Sequence, residues 1–263
     1  MDPDQPSASI AALLVLDPVD ANTFRVPSPK EPNLTRLYGG QVAAQAMAAA
    51  AATVGDDRVP HSLHGYFVRS GAADRVTTVA VDRDRDGRSF STRHVNAWQD
   101  DEVIFSALVS FHVDEPSIDV QVPQLALDAG DPEALAERER AGHNALLDMR
   151  VDDAPGDEPW RAPRFWARVR EPLAEDRITN ACVLTYLSDM GWAFDGLPER
   201  IGGPSLDHAV WLVRPVDVSD WLFVDLHLVS VSGSRGVFSG TIHDRAGTLA
   251  AYFTQEALLR RLQ

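Results

Sequence analysis

The sequence predicts an α+β protein of two halves, in each of which an antiparallel sheet wraps around a central helix. Three observations carry this prediction: each half has one helical pattern, several consecutive strand patterns joined by short polar turns, and the same order of these elements. Consecutive strands joined by hairpins pair antiparallel, which separates this class from βαβ folds with parallel sheets.

The first half places its helix over residues 42–54, after Tyr38-Gly39-Gly40-Gln41, and Gly55 ends it. Alanines fill this helix, including all five positions of 48–52, so it has a thin profile that a curved sheet can approach on several sides. Strand patterns follow at 61–70, 75–84, 88–98 and 102–113. A sheet wrapped around one helix is the hotdog fold.

The second half repeats this plan, with a strand at 164–170 and a helix at 178–192. Further strand patterns lie at 205–215, 221–232, 235–244 and 248–260. The last two strands of each half share a Gly, a basic residue, a Phe-Ser pair, a polar hairpin and an aromatic-rich final strand, which indicates an internal repeat. The predicted domains are therefore 1–114, an N-terminal hotdog, and 160–263, a C-terminal hotdog.

Residues 115–159 between the halves are rich in Pro, Asp and Glu and are interpreted as a connecting segment. One helix is predicted inside it, with Asp131 as N-cap, Pro132 at the first position and residues 133–141 as the body. We expect this helix to lie on the surface.

The charge and composition of the chain disfavour nucleic acid as a partner and a membrane-spanning segment. The formal net charge of −15 disfavours nucleic acid, because phosphate binding needs a basic face. No stretch approaches the roughly 18 apolar residues of a membrane span, and the acidic, polar N-terminus does not resemble a secretory signal. Cys182 is the only cysteine, so no intrachain disulfide can form and a cytoplasmic location is predicted.

Six sequence blocks resemble the acyl-CoA thioesterase II family. The first half has YGGQVAAQAM, HSLHGYFVRSG and RDGRSFSTRHV; the second half has TYLSDMGW, PSLDHAVWLVRP and TQEALLR. The blocks occur in the family's order and span residues from about 10 to 261. The resemblance implies a double hotdog that hydrolyses acyl-CoA to a free acid and coenzyme A with an activated water, without metal or cofactor.

The same resemblance implies a catalytic trio of Asp189, Ser205 and Gln255. Ser205 stands where the family usually has Thr, so the hydroxyl is kept and a methyl group that would restrict its rotamer is lost. Ser205 is chosen on the resemblance alone. For this acidic chain to bind an anion such as coenzyme A, local arginines would have to act against the overall charge.

The residue pattern supports two members of the trio, Gln255 and Asp189, independently of the family resemblance. Strand alternation places Gln255 on one face with five apolar residues, where an amide must form hydrogen bonds or cost free energy. Asp189 lies near a helix end, where a carboxylate opposes the helix dipole. If the helix is enclosed by the sheet, desolvation would raise the pKa of Asp189 and make it a better base.

Other motifs are interpreted as structural. Residues 82–87 resemble the start of an EF-hand loop, but Arg93 stands where the bidentate Glu is required. His61 and His64 point to opposite faces of a strand, and Cys182 is predicted to be inert. Asp207 and His208 are adjacent and face opposite ways, so they are not expected to form a triad with Ser205. The helix start at Gly39-Gly40-Gln41 is a candidate for oxyanion-stabilising N–H groups.

Two other functions stay open from the residues. One is a non-catalytic acyl-CoA binding protein, which the Ser at the Thr position allows. The other is a hotdog-fold enoyl-CoA hydratase, although no Asp-x-x-x-x-His block is evident. A hydrolase of fatty acid and lipid metabolism is the leading interpretation, with acyl-CoA as its substrate and homo-oligomerisation left open.

Overall fold

A computed structural model of the chain describes residues 9–28, 34–122, 130–137, 145–152, 164–190 and 201–261. Its α-helices are α1 (Ile10–Leu13), α2 (Gly39–Ala51) and α3 (Arg177–Ser188). The strands before residue 115 are β1 (Asp17–Pro18), β2 (Thr23–Val26), β3 (Arg58–Phe67), β4 (Thr77–Asp86), β5 (Phe90–Gln99) and β6 (Glu102–Val113). The later strands are β7 (Leu147–Asp152), β8 (Arg164–Val169), β9 (Ile201–Gly202), β10 (Asp207–Leu212), β11 (Leu222–Ser232), β12 (Arg235–His243), β13 (Leu249–Leu258) and β14 (Arg260–Arg261).

Twelve of these strands form one antiparallel sheet in the order β1-β2-β4-β5-β6-β3-β10-β13-β12-β11-β8-β7. The two halves meet where β3 pairs with β10, from Asp207 opposite Tyr66 to Trp211 opposite Ser62. The prediction of two sheets is therefore corrected to one continuous sheet. The physical reason is that β3 and β10 would otherwise each leave a row of unpaired backbone groups at a sheet edge.

Helices α2 and α3 pack against each other at the centre of the molecule. The two glycines that open α2 permit a close approach, because a Cβ on Gly40 would lie 2.5 Å from the carbonyl oxygen of Tyr186. Asp176 caps α3 by accepting hydrogen bonds at 2.9 Å from the N–H groups of Ile178 and Thr179. The N-terminus of α2 and the C-terminus of α3 thus lie side by side.

The segment predicted to connect the halves differs from expectation. The predicted helix is a 3-10 turn, Pro132–Ala134, after which the chain is extended at Leu135. Residues 138–141, the last part of that predicted helix, lie outside the described residues. Glu133 accepts a hydrogen bond at 2.8 Å from the indole N–H of Trp221, so tertiary packing overrides local helix propensity here.

Strand β7 also lies within the predicted connecting segment. It pairs with β8 over six residue pairs, from Leu147 opposite Val169 to Asp152 opposite Arg164. Leu147, Met149 and Val151 are buried and contribute to the core, so this part of the segment belongs to the sheet. Within the described part of the chain, no helix is long and apolar enough to cross a membrane.

Candidate functional site

Asp189 is the C-cap residue of α3, and its side chain is buried against the N-terminus of α2. The backbone N–H of Gly40 donates a hydrogen bond to the carboxylate. A Cβ at Gly39 would lie only 2.6 Å from Oδ2 of Asp189, so this approach requires glycine. The Gly-Gly start of α2 and Asp189 therefore form one site, as the oxyanion hypothesis for this helix start required.

Ser205 and Gln255 meet Asp189 from two further elements. Ser205 precedes β10 and pairs in an isolated bridge with Ala257, and its hydroxyl donates to Oδ1 of Asp189 over a long 3.4 Å. Gln255, buried on β13, donates from Nε2 to Oγ of Ser205 and also hydrogen-bonds the Asp189 carboxylate. The structure thus brings together the three residues that the resemblance implied.

His208 is a buried member of the site that the sequence reasoning set aside. Its Nδ1 lies 2.6 Å from Oε1 of Gln255, and its Nε2 lies 2.8 Å from the hydroxyl of Ser188 on α3. Asp207 faces away and accepts a hydrogen bond at 2.7 Å from the N–H of Glu256, as strand alternation predicted. The available signal was the same alternation, which places His208 on the inner face with Val210.

Burial dominates the electrostatics of this site. Desolvation raises the pKa of Asp189 from 3.8 to about 7, although hydrogen bonds from Gln255, Gly40 and Ser205 act in the opposite direction. Desolvation also lowers the pKa of His208 to about 4, so its ring is neutral at neutral pH. Because Asp189 is half-protonated near neutral pH, it can both accept and return a proton there.

A cavity of about 520 Å³ opens onto Asp189 and Ser205. Its wall combines apolar side chains with two arginines, and it includes Arg36, Leu37, Val42, Phe67, Arg69 and Ile104. A larger cleft of about 710 Å³ lies elsewhere, between the β8–α3 connection and residues 215–219. We assign function to the smaller cavity, because it alone of the two contains members of the trio.

His61, His64 and Cys182 lie outside this site. His61 hydrogen-bonds the hydroxyl of Ser110 at 2.8 Å, and His64 packs edge-on against Trp211. Burial raises the pKa of the Cys182 thiol well above its usual range, which disfavours the reactive thiolate. Among the described residues, no group of three or more His, Cys, Asp or Glu side chains is arranged to hold a metal ion.

Solved structures first identify the fold. A protein of unknown function with a hot dog fold from Alicyclobacillus acidocaldarius superposes with a TM-score of 0.80 at 18% identity, covering 97% of this chain and 98% of that one. An acyl-CoA thioesterase II from Mycobacterium marinum superposes with a TM-score of 0.83 at 35% identity, covering 97% of this chain and 98% of that one. The chain has a hotdog fold.

Sequence comparisons then identify the family. The acyl-CoA thioesterase N-terminal domain model matches residues 27–112, and the C-terminal domain model matches residues 121–259. Acyl-coenzyme A thioesterase 8 of Rattus norvegicus is 32% identical, over 98% of this chain and 90% of the relative. The chain belongs to the acyl-CoA thioesterase family, and the resemblance drawn from the six sequence blocks is confirmed.

Proposed function

We propose that this protein hydrolyses fatty acyl-CoA to a free fatty acid and coenzyme A, using a water positioned by Asp189, Gln255 and Ser205. The observation that carries the proposal is the Asp189 carboxylate, which is 5% exposed yet lines a cavity. Its hydrogen-bond donors are neutral, and burial raises its pKa to about 7. Such a carboxylate is suited to act as a general base near neutral pH.

In this mechanism, Asp189 accepts one proton of the water as its oxygen attacks the thioester carbon. The Nε2–H₂ group of Gln255 and the hydroxyl of Ser205 orient the water, which supplies proximity that a free water lacks. The tetrahedral intermediate then collapses and the carbon–sulfur bond breaks. Asp189 returns its proton to the departing sulfur, so coenzyme A leaves as a thiol and the carboxylate is regenerated.

The N-terminus of α2 supplies the most suitable donors for the oxyanion. N–H groups in the first turn of a helix have no partner within that helix, and they carry the positive end of its dipole. Gly39 lines the cavity and Gly40 already faces Asp189, so this helix end points at the reacting region. A negative charge developing on the thioester oxygen would be stabilised there.

The cavity wall also suits the two parts of an acyl-CoA molecule. Arg36 and Arg69 are exposed on the cavity wall of a chain whose net charge is −15, and Arg36 places positive charge where the coenzyme A phosphates would enter, whereas Arg69 is ion-paired with Glu102 at 3.1 Å. Leu37, Val42 and Phe67 supply apolar surface for an acyl chain. Replacing Arg36 with Ala should raise KM for acyl-CoA with little change in kcat.

The direct test is release of free thiol from a chain-length series of acyl-CoA substrates, followed with a thiol reagent of the DTNB type. The proposal predicts release by the natural protein and its loss in Asp189→Asn. Loss of enoyl-CoA absorbance without thiol release would instead identify a hydratase. Binding without turnover would identify a non-catalytic acyl-CoA binding protein.

The finer architecture and setting form part of the same proposal. We infer a double hotdog with an N-terminal unit over 1–114 and a C-terminal unit over 160–263, to which β7 is added by its pairing with β8. Support comes from the β3–β10 pairing, which joins two sets of strands that each pack on one long helix. The single cysteine favours a cytoplasmic location, and the net charge of −15 disfavours nucleic acid as a partner. A role in fatty acid metabolism rests on the proposed fatty acyl-CoA substrate. Whether copies associate can be measured by sedimentation.

A further inference from the structure

His208 occupies a position behind the proposed trio. Its side chain is 1% exposed, and it lies between Ser188 on α3 and Gln255 on β13. Among the described residues that line the cavity, Asp189 and Ser205 are included and His208 is not. We propose that His208 is a positioning residue, which holds the amide of Gln255 with its NH₂ group toward Asp189 and its oxygen away from it.

With the Gln255 amide oriented as in the structure, a position can be assigned to each proton of the network. Oε1 of Gln255 is an acceptor only, so the 2.6 Å contact requires a proton on Nδ1 of His208. Neutral His208 then has a lone pair on Nε2, so the single hydrogen of the Ser188 hydroxyl is directed to Nε2 at 2.8 Å rather than to the carbonyl oxygen of Thr185 at 2.9 Å. The two hydrogens of Gln255 Nε2 are left to face Ser205 and the Asp189 carboxylate.

The opposite amide orientation would conflict with the proposed base. A flipped Gln255 would turn its carbonyl oxygen toward Asp189, and two acceptors would then face each other without a proton between them. The Ser205 hydroxyl has one hydrogen and already directs it toward Oδ1 of Asp189. The flipped form is therefore compatible with protonated Asp189 and disfavours the carboxylate that takes the proton from water.

The surroundings of His208 keep its ring neutral, so it orients rather than carries a proton. Burial lowers its pKa to about 4, and the nearby His64 on β3 acts in the same direction. Among the described residues, its hydrogen-bond and ring contacts are with uncharged groups: the Ser188 hydroxyl, the Gln255 amide and the ring of Phe253 at 6.1 Å. A protonated ring would keep the Nδ1 donor, and its Nε2–H would donate to Oγ of Ser188, whose hydrogen would turn to the carbonyl oxygen of Thr185 at 2.9 Å.

The inference rests on the proposed function for its catalytic consequence, so the experiment has an arm that needs no turnover. Side-chain ¹⁵N NMR of the natural protein should show His208 as the neutral Nδ1–H form. Carboxyl ¹³C NMR, with the Asp189 signal assigned by its loss in Asp189→Asn, should show the Asp189 pKa moved upward in His208→Leu. In His208→Asn the side-chain N–H can replace Nδ1–H, so the pKa should remain near that of the natural protein.

The kinetic arm uses the same variants. We expect His208→Leu to lower kcat by roughly ten- to a hundred-fold, because a misplaced group costs about that much, with KM changed less than threefold. The acidic limb of its pH–rate profile should move to higher pH, and His208→Asn should restore most of both losses. Ser188→Ala, which leaves the Nδ1 contact in place, should lose less than His208→Leu.

The two proposals fail in different ways. An Nε2–H form of His208, or an Asp189 pKa that is the same in the natural protein and folded His208→Leu, would overturn the positioning role, whether or not thiol is released. Absence of thiol release with the NMR results as expected would instead overturn the hydrolase function. If His208→Leu does not fold, the positioning role is tested by the tautomer of His208 in the natural protein and by the Asp189 pKa of His208→Asn compared with that of the natural protein.

Discussion

Two buried charged side chains, Arg93 on β5 and Asp189 at the end of α3, show why burial of a charge does not by itself identify a functional site. Each belongs to a different half and is nearly inaccessible, at 1% and 5% exposure. Arg93 makes five hydrogen bonds: two to Thr53, one to Asp86 and one each to the carbonyl groups of Arg85 and Thr92. Its guanidinium is thus compensated by one carboxylate and four neutral acceptor oxygens.

The buried charge of Asp189 is compensated differently from that of Arg93. Its donors are neutral, and the carboxylate opens onto a cavity of about 520 Å³. The effect of pH on stability consequently has opposite signs at the two sites. Hydrogen bonds from Arg93 and Ser91 lower the pKa of Asp86, so Asp86 stabilises the native state more as pH rises. Burial raises the pKa of Asp189 from 3.8 to about 7, so its contribution is present below pH 3.8 and lost as pH rises through 7.

The largest expected effect is that of Asp189→Asn on activity. Removing a general base should lower kcat by roughly a hundred- to ten-thousand-fold. The free energy of unfolding at pH 8 should stay equal or increase, since the variant no longer buries a carboxylate. Initial rates of thiol release and denaturant titrations measure the two quantities. A large loss of stability together with activity would place Asp189 in the same structural class as Arg93.

Arg93→Met should show the reverse pattern. We expect the free energy of unfolding to fall by roughly 2–4 kcal/mol, because Asp86 and the backbone carbonyls that accept hydrogen bonds from Arg93 lose their donor. Turnover per folded molecule should change less than twofold at a temperature well below the unfolding transition. Arg75→Met is the matched control, since its ion pair with Asp100 at 2.9 Å is exposed and should be worth less than about 1 kcal/mol.

The smallest effects are expected at Ser205. Ser205→Ala removes the hydroxyl that contacts Asp189 and Gln255, and kcat should fall about tenfold, the equivalent of one hydrogen bond of about 1.4 kcal/mol. Ser205→Thr keeps the hydroxyl and adds the methyl group that the family usually has, so kcat should stay within about threefold. Equal kcat for Ser205→Ala and the natural protein would remove Ser205 from the proposed mechanism.

The family resemblance led to the trio, and local signals in the sequence support two of its three members. Gln255 interrupts an apolar strand face, and Asp189 opposes a helix dipole, and both signals are independent of distant contacts. His208 was missed because its role depends on two partners, Ser188 and Gln255, which lie 20 and 47 residues away along the chain. Local patterns do not record such pairings.

The fold shows the same division between elements that local patterns predict and elements that depend on distant contacts. Helices α2 and α3 and the long hairpin strands follow from periodicity, whereas the joining of the halves into one sheet depends on the pairing of β3 with β10. The predicted helix after Asp131 had good local signals, yet Glu133 and Leu135 are used to cover the aromatic cluster of Trp166, Trp221 and Phe223. Tertiary contacts decided these elements.

The central claim, that Asp189 is a buried general base, is tested most directly by the pH dependence of kcat/KM for acyl-CoA hydrolysis. The proposal predicts a rate that rises with pH, reaches half its plateau near pH 7 and is flat above it, because the carboxylate form is the active one. The residual rate of Asp189→Asn should lack this rise. A natural-protein profile that is flat from pH 5 to pH 8 would contradict the account.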